Sequence, residues 1–334
     1  MSAAADAAPR NDALKVGDFN TRGAARPLRR VYGEALLEAA REDPRIVCLN
    51  ADLASPCEID LFRDELPERF FHVGIAEANM IGVAGGMARA GDVPFVHSFC
   101  VFATRRCYDQ IAMQAAYPKA NVKIVGYIPG LTTMLGVSHQ AIDDLALMRA
   151  LPNMTVLEPS GPGQIRAAVR AMVAHEGPVY LRLKRPDPDA SDQAHVEREL
   201  VIGRAETVRE GRDGLILACG LMVDAALAAA STLEAEGTSV AVANVATIKP
   251  LDLAIVEMAR AAGTVVTAEN HSVIGGLGSA VAEVLMEAGV RCGFERVGVR
   301  DTFAEGGSTD YLLRKYGLTA DAIVAAFRRA RGRR

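Results

Sequence analysis

The stretch RVYGEALLEAAREDPRIVCLNAD, residues 30–52, decides how the chain folds. Its first half spaces Tyr32, Leu36, Leu37 and Ala40 as one stripe of a helix. After Pro44 the run RIVCLNAD is apolar at consecutive positions, which marks a strand covered on both faces. The same kind of run returns at VPFVHSF (93–99), VKIVGYI (122–128), MTVLEP (154–159) and PVYLRLK (178–184), with helical segments between them. PDPDASD (186–192) then breaks every pattern, because alternating proline and aspartate hold neither a helix nor a central strand. A second series follows in GLILACG, MVDAALAAASTLEAEG, SVAVANVATIKP, GTVVTAEN, GLGSAVAEVLMEAG and ERVGV. The expectation is an α/β chain of two consecutive domains, each a mostly parallel sheet flanked by helices. Their bounds are 28–187 and 200–330, with a loose tail over 1–27 and a linker over 188–199.

Composition narrows the class. Half of the 334 residues are hydrophobic and 23% are charged, enough aliphatic side chain for two cores. The net charge of −4 and a single basic cluster, the terminal RRARGRR, argue against nucleic acid as a partner. No apolar run reaches the ~18–20 residues of a membrane span, and the first residues lack the apolar stretch of a secretory signal. Cys48, Cys57, Cys100, Cys107, Cys219 and Cys292 form no CxxC pair. They read as reduced core residues of a cytoplasmic protein.

Three segments carry candidate chemistry. In FFHVGIAEANMIGVAGGMARAG (70–91), Glu77 opens a helix rich in Gly82, Gly85, Gly86 and Ala88, whose small size suits burial against a neighbour. Glu77 is either a simple helix-end carboxylate, favoured there by the dipole, or a buried functional acid. In VPFVHSFCVFATRRCYDQIAMQ (93–114), Phe99 and Phe102 lie three apart at a strand-to-helix junction. They serve either as core filling or as a wall for a flat aromatic ligand. In GYIPGLTTMLGVSHQAIDDLALMRALPNMTVLEP, Ser138 stands where an N-cap would, and His139 follows just inside a helix. A surface histidine and an acid/base or hydroxyl-binding group are both open for His139. No P-loop occurs, and the glycine-rich turn in AENHSVIGGLGSAVAEVL reads as a packing turn.

These segments, with RVYGEALLEAA, LNADLAS and GPVYLRLKR, stand in an order and spacing that resemble the transketolase family of thiamine diphosphate enzymes. The resemblance runs from Arg30 nearly to the end and covers the pyrimidine-binding and C-terminal domains. It implies that Glu77 hydrogen-bonds N1′ of the cofactor's aminopyrimidine, so that the 4′-amino group becomes the base acting on thiazolium C2. It implies further that Phe99 and Phe102 hold the pyrimidine, and that Asp52 lies in a loop near the cofactor. His139 contacts substrate hydroxyls and shuttles protons, while Arg30 and Arg185 bind the phosphate of a sugar phosphate. Members of the family hold the diphosphate and Mg²⁺ through a GDG motif on a preceding domain, and no GDG occurs here. The resemblance therefore implies a split transketolase, active only with an N-terminal partner subunit in an α2β2 assembly. No metal ligands are expected on this chain, and its C-terminal domain is assigned to dimer packing.

Three positions depart from the family. Leu135 stands four residues before His139, where an Asp is common; Tyr127 stands where a phosphate-binding His is common; Ser55 is displaced by one. Losing a charged hydrogen bond at Leu135 removes about 1.5–3 kcal/mol of recognition. An unusual or branched ketose phosphate, such as apulose 4-phosphate, suits an apolar wall there. The rival readings are a 2-oxoacid dehydrogenase β-type or deoxyxylulose-phosphate-synthase-type subunit, and a non-catalytic subunit.

Overall fold

The computed structural model describes residues 30–184 and 199–333. The tail over 1–27, PDPDASD and Arg185 lie outside it. The first series folds as α1 (Val31–Glu42), β1 (Ile46–Asn50), α2 (Asp60–Glu65), β2 (Phe70–His72), α3 (Glu77–Ala90), β3 (Val93–Phe99) and α4 (Cys100–Thr104). After the single turn α5 (Tyr108–Gln110) and a π-helical stretch, Ile111–Ala116, come β4 (Lys123–Tyr127) and α6 (Asp144–Ala150). β5 (Thr155–Leu157), α7 (Pro162–Ala174) and β6 (Val179–Leu183) complete it. The second series is β7 (Glu206–Arg209), β8 (Gly214–Ala218), α8 (Met222–Ala235), β9 (Val240–Asn244), β10 (Thr247–Lys249), α9 (Ala254–Ala262) and β11 (Thr264–Ser272). It ends with α10 (Leu277–Glu287), β12 (Gly293–Val299), α11 (Thr309–Lys315) and α12 (Ala320–Arg331).

Two mostly parallel sheets result. The seven-stranded sheet runs β10-β5-β6-β4-β3-β1-β2 and the five-stranded one β12-β11-β8-β9-β7. β1, β3, β4 and β6 are buried along their whole length, as consecutive apolar runs demand. Within the first sheet only β10 is antiparallel, and it comes from the second series. SVAVANVATIKP, which reads as one apolar run, is thus two strands on two sheets: β9 stays in the second and β10 crosses to the first. Apolar periodicity carries no information about which sheet a strand joins. Buried side chains form a continuous core from Val47 and Ile124 to Leu215 and Val265, so the two sheets share packing.

Parallel order puts the functional loops together. The loops after β1, β2, β3, β4 and β6 all leave the carboxyl edge of the first sheet. The amino end of α1, where Arg30 stands, reaches the same edge, because α1 must descend before turning into β1. In open α/β sheets this is the edge where ligands bind. Among the described residues no helix is long and apolar enough to cross a membrane.

Candidate active site at the carboxyl edge of the first sheet

Glu77 is the first residue of α3, where free backbone N–H groups favour a carboxylate, yet it is only 5% exposed. Its Oε1 accepts a hydrogen bond from Arg106 Nη1 at 3.2 Å. The guanidinium of Arg106 lies over the Phe102 ring, 3.8 Å from the centroid. Phe102 meets the His139 ring edge-on at 5.0 Å between centroids, and Phe99 stands 6.1 Å from each. Five side chains from three loops therefore form one continuous group. Burial, and then the Arg106 cation, hold the His139 imidazole below its ordinary pKa. Its Nδ1 lies 2.9 Å from Ser138 Oγ. Burial, with the Glu77 charge adding, pushes the Cys107 thiol up to about 12, so this neighbour of the carboxylate stays protonated.

The other described candidates share the edge but not the group. Asp52, at φ 62°, is bonded through its carboxylate to His72 Nε2 at 3.0 Å. Arg30 donates to Asp60 Oδ2 at 2.6 Å. Arg185 lies outside the described residues. Leu135 is exposed in the loop that carries His139, and Tyr127 is buried edge-on against Tyr32. Ser55 is exposed at the same edge.

Several local expectations are corrected. α6 begins at Asp144 with Asp143 as its cap, so Ser138 is not an N-cap and His139 sits in a turn, not in a helix. The polar residues 138–140 find partners outside any helix, which periodicity does not register. On α3 only Gly85 packs closely within the chain; a Cβ there would meet Gln114 at 2.8 Å, whereas Gly82 and Gly86 face open space. Glu269 and His271 are fully buried inside the chain. Glu269 accepts from Leu277 and Gly278 N–H at the start of α10, which makes the glycine-rich turn the packing turn expected of it.

Arg106 is the residue sequence reasoning passed over. Its signal was available: it follows Phe102 by four, the helical spacing that lays a cation on a ring. Arg105 turns the other way, its Nε donating to both Asp143 carboxylate oxygens at 2.8 and 2.9 Å.

A two-sheet α/β chain with a buried acid beside clustered rings at the sheet's carboxyl edge has the layout of a ligand-binding site, and comparison with known proteins gives the family. The transketolase pyrimidine binding domain matches residues 25–189 and the transketolase C-terminal domain matches 203–323. The chain belongs to the transketolase family. It is 48% identical over 300 residues to the 6-deoxy-6-sulfo-D-fructose transketolase subunit SqwH of Clostridium sp. (strain MSTE9), covering 90% of this chain and 92% of that one. It is 34% identical over 299 residues to the 1-deoxy-D-xylulose-5-phosphate synthase of Halalkalibacterium halodurans, of which it spans 47%. Among solved structures it superposes on a split gene transketolase, described as an inactive β4 tetramer, with a TM-score of 0.82 and 47% identity. That match covers 91% of this chain and 98% of the other.

Proposed function

We propose that this chain is the subunit of a split, thiamine diphosphate-dependent transketolase that seats the aminopyrimidine end of the cofactor. A partner subunit supplies the diphosphate and Mg²⁺ ligands, and the two assemble as α2β2. The domain partition at 28–187 and 200–330 belongs to the same reading. One observation carries it: a buried carboxylate already holds a planar nitrogen cation that is stacked on a phenylalanine. Arg106 makes with Glu77 and Phe102 the two contacts a stacked aminopyrimidine needs, a hydrogen bond to an acid and a ring face. The donor set therefore fits the group.

Thiamine diphosphate, when bound, supplies the electron sink for breaking a carbon–carbon bond beside a carbonyl. The chain's residues do the rest. Glu77 exchanges Arg106 for the ring nitrogen and holds a proton there, in a setting dry enough for the bond to be strong. Phe99 and Phe102 orient the ring, and Asp52 borders the cofactor loop. His139, kept neutral near pH 7 by its lowered pKa, accepts a hydrogen bond or proton from a substrate hydroxyl. Arg30 and Arg185 take the anionic end of the sugar; for Arg30 that means sharing or leaving Asp60.

The exposed isobutyl group of Leu135 favours an unusual donor, and the relative's name adds a sulfosugar to the candidates. The test mixes the chain with its partner, thiamine diphosphate, Mg²⁺ and an aldehyde acceptor. The donors are xylulose 5-phosphate, apulose 4-phosphate, 6-deoxy-6-sulfo-D-fructose and pyruvate. Two-carbon transfer from a ketose is the expected result. Pyruvate decarboxylation would favour the synthase or oxoacid type instead, and no turnover with any donor a non-catalytic subunit.

A further inference from the structure

The loop that carries His139 is held at both ends by the second sheet's edge. Gly130 has φ +54°, and a Cβ on it would meet the Asn270 carbonyl oxygen at 2.1 Å, so the loop's start lies directly on β11. The Asn270 side chain, fully buried, bridges that glycine: its Nδ2 donates to Pro129 O and its Oδ1 accepts from Leu131 N–H, both at 3.0 Å. At the other end, Ser272 N–H donates to Ile142 O at 2.8 Å. Arg182 Nη2 donates to Ala141 O at 2.9 Å and to Asn270 O at 3.0 Å. Gly130 N–H closes the loop on Ala141 O at 3.0 Å. In the middle, Gln140 Nε2 donates to Glu305 O at 2.9 Å. Within this loop His139 is left to face Phe102 and Phe99.

We infer that the second sheet's contribution to the reaction is to hold this loop, with Asn270 as the positioning residue that sets where His139 stands. The inference rests on the reading of His139 as the substrate-side histidine. An amide is required at 270 because one end must donate to a carbonyl and the other accept from an N–H, both buried and both without access to water. Dimer packing, the role first expected of the C-terminal domain, leaves this bridge unexplained.

The test compares the wild-type chain with Asn270→Ala and Asn270→Asp; the latter keeps the acceptor and loses the donor. Two readings come from the full chain alone. Amide exchange over 129–142 should quicken at least tenfold while β1, β3 and β4 keep their protection. The His139 ring signals, read with labelled histidine, should move and titrate closer to the ordinary histidine range as contact with Phe102 and Arg106 is lost. In the assembled enzyme, the donor KM should rise at least tenfold while cofactor affinity, read by fluorescence, changes less than twofold. Asn270→Asp, which sets a buried carboxylate oxygen against Pro129 O, should move every reading in the same direction as Asn270→Ala. Unchanged His139 signals, or exchange that quickens equally throughout the chain, overturn the inference. Should Asn270→Ala not fold, Gln140→Met removes only the tie to Glu305 and carries the same predictions at smaller size. If the wild type turns over no donor, the functional reading falls, while exchange and histidine signals still decide the positioning role.

Discussion

The carboxyl edge and the junction between the sheets use the same residue types to opposite ends. At the edge, Arg106 touches Glu77 by a single hydrogen bond, is half-exposed, and lies over the Phe102 ring. At the junction, Arg182 is fully buried and donates to Asp144 at 2.7 and 3.1 Å, to Glu158 at 2.6 Å and to two backbone carbonyls. A guanidinium with one charged partner at a wet rim can let that partner go. One with all three nitrogens bonded in a dry interior cannot, because each lost bond strands a buried charge. On the proposed function, the difference separates a place of exchange from one of registration.

The largest expected effect follows from the edge. Glu77→Gln in the assembled enzyme should lower turnover by about 10²–10⁴-fold, the range for a lost proton-handling group, with the denaturation midpoint nearly unchanged. Turnover within threefold of wild type would falsify the assignment of Glu77. The matching variant at the junction, Arg182→Met, should reverse the pattern. It leaves Asp144 and Glu158 buried without their cation, at a cost of about 3–5 kcal/mol in urea unfolding. Adding Asp144→Asn to it should recover part of that loss, and failure to recover any would show that packing, not charge, holds the junction.

The edge was more legible in the sequence than the junction, for a physical reason. Glu77, Phe99 and Phe102 sit within a few residues of strand ends, and parallel order alone brings strand ends together. His139 was legible as a residue but not as a turn, since Ser138 looks like a cap while the helix begins only at Asp144. Arg182, Glu158 and Asn270 lie within or beside apolar strands, the last two 24 and 88 positions from Arg182, and nothing in a strand's periodicity says which polar residue will meet another across two sheets. The same limit hid the transfer of β10 to the first sheet.

A third prediction uses pH at the junction. Burial pushes Glu269 up to about 7, so between pH about 4.5 and 7 the folded chain keeps a proton that the unfolded chain has released. Stability from this group is therefore lost as pH rises through that window, by an amount on the order of 3 kcal/mol. Buried His271 and His97, both lowered to about 4, act in the opposite sense, since the unfolded chain binds the extra proton. Their slopes and that of Glu269 oppose one another between pH about 4.5 and 6.5. Glu269→Gln should expose the histidine slope, making stability climb with pH where the wild type is flatter. Identical pH profiles for the two chains would mean that Glu269 is ionised throughout.

The smallest effect tests the edge at its exchangeable contact. Arg106→Gln removes the cation that, after burial, holds the His139 imidazole down, so the His139 titration should move up toward the ordinary histidine value. Unfolding free energy should change by less than about 1 kcal/mol, because Arg106 is itself half-exposed and glutamine keeps an N–H donor for Glu77. Cofactor affinity should not fall and is expected to rise, since the ring no longer competes with a guanidinium for Glu77 and the face of Phe102. The combination discriminates: a structural arginine would lower stability, and a cofactor-binding arginine would weaken affinity. An upward histidine shift with tighter cofactor binding and unchanged stability leaves one role for Arg106, that of holding the seat until the ring takes it.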